Sequence, residues 1–304
     1  MPMPHADHTS PGLAHRGRLA AVLAITLAVL VVQVAGAWLS GSLALLADAG
    51  HLLTDVAGLT LALAAVTLAA RPPTPQRTYG NYRLEILAAV ANALLLFAVA
   101  AVVLVEAWRR WSAPPEVDGG LMLVVAVVGL VANAAGLALL HSGAQQNLNV
   151  RGAYLEVLGD LLGSLAVVVA ALVVTATGWL RADPAASALV ALMMLPRVWT
   201  LVREATDVLL EAAPRGVDLE EVRRHILGVP GVVSAHDLHA WTITSGMPVL
   251  SVHVVVADDV IATGAGGRVL DQLEVCLAEH FDVRHCTFQL EPAGHAAHEH
   301  PGHA

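Results

Sequence analysis

The chain of 304 residues is 57% hydrophobic and only 13% charged, with a mean hydropathy of +0.68. That is about half the charged fraction of an average soluble domain, so a wholly soluble protein is excluded and a membrane class is indicated. The formal net charge of −9 lies in the last third: five Arg oppose fourteen Asp and Glu from Asp207 onward, while residues 1–206 carry eleven of each. An acidic segment of this kind suits a soluble domain and excludes nucleic acid and anionic lipid as its partners.

The N-terminal stretch HADHTSPGLAH, within a tail of residues 1–16, reads as disordered. Arg16 and Arg18 then precede an apolar run that could pass for a signal peptide, but its length and the five runs after it make it a retained helix. Six segments have the roughly 20 apolar residues that a transmembrane helix needs: about 19–39, 43–70, 84–108, 120–141, 152–179 and 184–205. Six spans place both termini on one side. Arg16, Arg18, Arg71, Arg77, Arg83 and Arg151 lie at the ends shared with the termini, and Arg109, Arg110 and Arg181 at the others. The positive-inside rule therefore puts the termini in the cytoplasm.

The second span carries Asp48, His51 and Asp55, which share one helical face, and the fifth repeats the device with Glu156 and Asp160. A carboxylate in mid-membrane costs about 2.5–3.5 kcal/mol on the insertion scale. No Arg sits within either span, so the neutralising cation is expected from outside the chain. One imidazole and three carboxylates form a plausible metal set: His51, Asp55, Glu156 and Asp160. Asp48, nearer the outer end, reads instead as a capping or pairing residue with backbone or Ser42 as its partner. Gly159 and Gly163 give a small-xxx-small face on which the two spans can approach.

From Pro214 the pattern becomes that of a soluble αββαβ domain. Asp218 and Glu221 form a capping-box-like start, and Gly228 with Pro230 ends that helix. Strands are expected at about 232–243 and 249–256 around the turn TSGMP, a helix at about 265–281 and a last strand at about 283–291. Period two puts His285, Thr287, Gln289 and Glu291 on one face of that strand, and Cys286, Phe288 and Leu290 toward the core. Cys276 and Cys286 lack CxxC spacing and read as reduced cytosolic thiols, not a disulfide framework. The order suits a small ferredoxin-like α+β domain. The chain thus divides into a disordered tail (1–16), an all-α six-span transmembrane domain (17–206), a cytoplasmic domain (207–291) and a His-rich disordered tail (292–304). Its histidines, His295, His298, His300 and His303, read as a solvated tail with at most weak metal affinity.

SGSLALLADAGHLLTD, RTYGNYRLEIL and RGAYLEVLGDLLGS, followed by the αββαβ tail, resemble the cation diffusion facilitator family over residues 17–291. The resemblance implies a homodimeric, proton-coupled exporter of divalent metal in a bacterial inner membrane. It implies alternating access with one tetrahedral site between the second and fifth spans, held by His51, Asp55, Glu156 and Asp160. Many zinc members have His in place of Glu156, and a Glu there resembles members handling cobalt, zinc and cadmium. The resemblance also implies metal sensing and dimerisation in the cytoplasmic domain, where His236, His253 and Glu291 match ligand positions and a structural Zn²⁺ has a place. Gln289 stands where some members have a ligating His, and His285 is available as a substitute. Arg83 and Asp207 resemble a basic–acidic pair tying helix ends together. No prosthetic group is implied. A channel is the first rival, but a tight four-ligand chelate suits a carrier better. An intramembrane metallohydrolase is the second: HExxH is absent, and a filled four-ligand site leaves no position for water.

Overall fold

The computed structural model describes residues 12–144, 148–281 and 285–296. His298, His300 and His303 therefore lie outside the described residues. Six long helices come first: α1 (Gly12–Ser40), α2 (Leu43–Ala69), α3 (Leu84–Ser112), α4 (Gly119–Ala144), α5 (Leu148–Thr177) and α6 (Ala182–Leu209). Among the described residues, α2 to α6 are each long and apolar enough to cross a membrane, and α1 contributes the shorter apolar stretch Thr26–Ser40. Helix α1 begins within the tail expected to end at residue 16.

Two compact units emerge. The first joins Met1–Leu61 with Ala91–Thr200, and the second joins Ala62–Val90 with Leu201–Ala304. In the first unit α4 packs along α5 and α1 along α4. Its core is built from small side chains, among them Ala44, Ala47, Ala100, Ala126, Val167, Ala171 and Ala191, which let backbones come close where no hydrophobic effect drives helices together. Gly58, Gly36 and Gly129 are among the tightest contacts: a Cβ there would meet Asn92 at 2.5 Å, or Val125 or Gln33 at 2.6 Å. Gly159 and Gly163 behave otherwise. A Cβ on Gly159 would meet nothing within 4 Å, and one on Gly163 only ordinary contacts at 3.8 and 3.9 Å. The expected close-approach face is thus an open one, and the close contacts are made by glycines of α1, α2 and α4.

The start of α2 is fixed by a residue far away in sequence. Gly41 (φ 71°) takes the left-handed conformation that turns the chain out of α1. Asp183, in the first turn of α6 and fully buried, accepts the Ser42 hydroxyl at 2.5 Å and the backbone N–H groups of Leu43 and Ala44 at 2.9 and 3.1 Å. One carboxylate thereby satisfies orphan donors of α2 and sits favourably at two helix N-termini.

In the second unit, α7 (Leu219–Leu227), β1 (Val232–Thr242), β2 (Pro248–Val256), α8 (Asp258–Ala262), α9 (Gly266–Phe281), β3 (His285–Pro292) and α10 (Ala293–Ala296) follow. The Asp218 carboxylate caps α7 by accepting from the N–H of Glu220 and Glu221. The sheet order is β1-β2-β3, with β1 antiparallel and β3 parallel to β2. Cys286, Phe288 and Leu290 of β3 pack against the core of Val222, Ile226, Leu250, Val252, Leu273 and Leu277, as period two requires. Neither cysteine is in a disulfide, and burial pushes the Cys286 thiol up to about 11, so it stays protonated at neutral pH. The last turn, α10, lies inside the tail expected from residue 292.

The expected Arg83–Asp207 pair is not formed. Arg83 bonds Glu211 at 2.7 Å, while Asp207 (3.3 Å) and Glu204 (2.7 Å) both bond Arg215. Glu211 lies past the end of α6, in the turn after Leu209, where its backbone is left-handed (φ 56°). Both partners of the Arg83–Glu211 pair are about half exposed, so it contributes about 0–1 kcal/mol.

Replacing Asp183 by Ala strands a buried hydroxyl and two buried N–H groups, at a cost of at least about 2 kcal/mol. Asp183→Ala is expected to lower the unfolding midpoint in detergent by several degrees, and Asp183→Asn by less, since its amide oxygen still accepts. A midpoint equal to that of the unsubstituted protein would show that α2 is anchored elsewhere.

Candidate metal centre

The polar stripe of α2 meets α5 inside the first unit. His51 Nε2 lies 2.8 Å from Asp160 Oδ1, and His51 Nδ1 lies 3.8 Å from Asp55 Oδ2. One donor atom from each of His51, Asp55 and Asp160 falls within 4.8 Å of the others. The spacing of four on α2 stacks His51 over Asp55, and Asp160 faces them from α5. His51 Nδ1 is buried with no hydrogen-bond partner. With the proton on Nε2, facing Asp160, that nitrogen presents its lone pair to the cluster, which is the donor state a metal takes.

Glu156 stands apart from the three. Its side chain is 38% exposed, and its Oε1 is 2.5 Å from Arg197 Nη2 on α6. The other arm of the same guanidinium, Nη1, lies 2.8 Å from Asp55 Oδ1. The cation expected from outside the chain is therefore supplied in part from within it. Neither span that carries the acids holds an arginine partner; it comes from a third. The signal was present: Arg197, in MMLPRVW, is an ionised residue well inside the apolar run of the sixth span, and such residues point inward to a polar partner.

Asp48 takes the structural role expected of it, with different partners. Its Oδ2 accepts from Gln33 Nε2 at 2.6 Å and from the Ser164 hydroxyl at 3.2 Å, and Asn133 Nδ2 donates to Ser164 at 3.0 Å. Ser42, the expected partner, is engaged by Asp183. Gln33, Asn133 and Ser164 escaped the sequence reading because a lone amide or hydroxyl in an apolar run has no local pattern. Asp48, His51, Glu156, Asp160 and Arg197 line one cavity of about 410 Å³, together with Gly159, Gly163, Met193 and Met194.

A second cluster lies in the second unit. β1 and β2 set His236 opposite His253, and β2 and β3 set His253 opposite Gln289. Glu291, 1% exposed, is reached by His253 Nδ1 at 2.8 Å, His236 Nε2 at 3.3 Å and Gln289 Nε2 at 2.7 Å. The three candidate ligands His236, His253 and Glu291 have donor atoms within 4.8 Å of one another. Just past His236 the register shifts by one residue, and Asp237 takes φ 47°. A bulge here re-aims the strand, so His239 pairs opposite Ser251 and leaves the cluster. His285 is also displaced. It pairs opposite Val249, four positions from His253 along the strand, and its ring meets Tyr79 edge-on at 6.4 Å. The face assignment by period two was right; distance along the strand removes His285 from the site.

Residues 19–210 match the family model of the cation efflux transmembrane domain, and residues 214–293 match that of the cation efflux protein cytoplasmic domain. The chain belongs to the cation efflux family. It is a membrane transporter and not an enzyme. It is 47% identical to the metal cation efflux system protein CzcD of Cupriavidus metallidurans, over 94% of this chain and 90% of that one. It is 41% identical to the zinc transporter ZitB of Escherichia coli, over 94% and 91% of the two chains. With a cadmium, cobalt and zinc/H(+)-K(+) antiporter of Bacillus subtilis it shares 39% identity over 88% and 86%.

His51 is the one nitrogen donor in the intramembrane cluster, and nitrogen favours zinc-like ions over manganese. His51→Asp is expected to lower the zinc-to-manganese uptake ratio in vesicles. An unchanged ratio would remove His51 from the ligand set.

Proposed function

We propose that this cation efflux protein exports a divalent metal in exchange for protons by alternating access, with zinc as the preferred cargo and cobalt and cadmium as further ones. The reading rests above all on one observation: an imidazole and two carboxylates converge within 4.8 Å inside membrane-spanning helices. Glu156, one turn from Asp160 on α5, completes a four-ligand set when it leaves Arg197. The names of the relatives, which specify zinc, cobalt, cadmium and H(+), support the choice of cargo and coupling ion.

The charges of the site support proton exchange. Asp55, Glu156 and Asp160 carry −3 when ionised and Arg197 carries +1. A divalent ion brings the set to zero, and so do two protons. Exchanging one for the other keeps the charge inside the membrane constant, which avoids the large penalty of moving an unbalanced charge through it. Because ligands must be deprotonated to bind, metal affinity falls as pH falls.

The same reading includes six spans, with both termini in the cytoplasm of a bacterial cell whose inner membrane holds the protein. Residues 17–206 form the transmembrane domain, and 207–291 form a ferredoxin-like cytoplasmic domain through which two copies dimerise. In that domain His236, His253 and Glu291 hold a structural or sensing metal. A terminal tail flanks the two domains at each end.

Asp160→Ala is expected to abolish metal uptake into everted vesicles while leaving membrane insertion and dimerisation intact. Wild-type uptake by this variant would refute the site. In the unsubstituted protein, uptake should saturate with metal and respond to an imposed proton gradient, whereas a channel would do neither. The metal Kd, measured at about pH 7.5 and about pH 6, should weaken at the lower pH.

A further inference from the structure

Arg197 is unexplained by ligand chemistry, since a guanidinium cannot bind a cation. It nevertheless sits at the candidate site, with its two arms on carboxylates of two helices: Asp55 of α2 at 2.8 Å and Glu156 of α5 at 2.5 Å. These are two of the four proposed ligands. Three of those ligands have donors within 4.8 Å of one another, and Glu156 is the one that does not.

We propose that Arg197 is a tethered stand-in for the cargo, a cation built into α6 that engages two of the proposed ligands and that the metal must displace. This rests on the transport-site reading given above. Three further observations carry it. The guanidinium is only partly buried, at 32% exposure, and it borders the 410 Å³ cavity, so packing does not lock it in place. Pro196 precedes it inside α6 and offers no N–H to the carbonyl of Leu192, so one helical hydrogen bond is missing where the side chain is mounted. The planar fork that spans two carboxylates is a geometry that lysine cannot reproduce with one nitrogen.

A tethered cation has a consequence for selectivity. Its high effective concentration means that a free ion must outbid it to enter. A monovalent ion brings no more charge than Arg197 already does, whereas a divalent ion doubles it. Arg197 therefore sets a threshold that favours divalent cargo, and it lowers the affinity for that cargo enough to allow release.

The test is zinc titration calorimetry on the full-length protein in detergent, combined with vesicle uptake. Arg197→Gln is expected to tighten the zinc Kd by about tenfold or more, because a competing charge is gone. KM should fall with it, and kcat should fall too, as tightly held metal leaves slowly. Potassium at about 100 mM, without effect on the Kd of the unsubstituted protein, should now weaken zinc binding, since monovalent ions are no longer outmatched. Arg197→Lys keeps the charge without the fork, so its Kd should lie between the two; this variant also decides the matter if Arg197→Gln does not fold. An unchanged or weaker Kd in the substituted protein that folds would overturn the proposal and leave Arg197 as a strut. Asp160→Ala in parallel separates the two readings. Loss of intramembrane zinc binding there, with the cytoplasmic cluster retained, together with an unchanged Kd in Arg197→Gln defeats only the stand-in. Retention of intramembrane binding by Asp160→Ala defeats the site itself.

Discussion

Three carboxylates within apolar helices require a positive partner, and this requirement organises the intramembrane unit. Asp55, Glu156 and Asp160 cannot be solvated by lipid, and each would be expensive if left alone. Two partners meet the demand from within the chain. His51 stands between Asp55 and Asp160, and Arg197 bridges Asp55 to Glu156. The four residues come from α2 and α5, and the cation comes from α6, so three helices are bound by one set of charges. A charge set of this kind is strong evidence of function and weak evidence of stability. Helices of Ala, Val and Leu would pack as well without it.

Around that centre lie two carboxylates whose oxygens accept hydrogen bonds from the chain itself and which are therefore structural. Asp183 holds the first turn of α2, and Asp48 is held by Gln33 and Ser164. Both carboxylates are more deeply buried than the candidate ligands. Their hydrogen bonding separates them further. Asp48 and Asp183 accept bonds from fixed donors, whereas His51 Nδ1 is buried without one. Asp160 Oδ1 is likewise buried without a hydrogen-bond partner, as are Gln33 Oε1 and Asn92 Oδ1, and what sets His51 and Asp160 apart is that their atoms converge with those of Asp55.

Much of this was legible in the sequence because it is local. Apolar run lengths gave the long helices, and period two gave the faces of β3. The spacing of four gave His51 with Asp55 and Glu156 with Asp160, since residues one turn apart must share a face. What eluded the sequence depends on which residues of distant elements meet. Arg197 lies 142 positions from Asp55, and no periodicity links them. Arg83 found Glu211 and not Asp207, because charge complementarity names a class of partner without naming the turn it occupies. His285 was placed on the right face of β3 but at the wrong height, since only the pairing of β2 with β3 fixes the rung. Gly159 and Gly163 followed a pattern that permits close packing without imposing it.

Those two glycines bear on how relatives diverge. On most helices of a membrane bundle, exchanging Gly for a larger residue forces neighbours apart. Gly159 has nothing within 4 Å of the position a Cβ would take, yet it lines the cavity that holds the candidate ligands. Alanine there would even favour the helix by about 1 kcal/mol. Position 159 is thus a site where evolution can vary the volume beside the candidate ligands without disturbing the bundle. Two sequences that differ at this one residue would keep the same ligands and the same fold while offering the ion a differently shaped chamber.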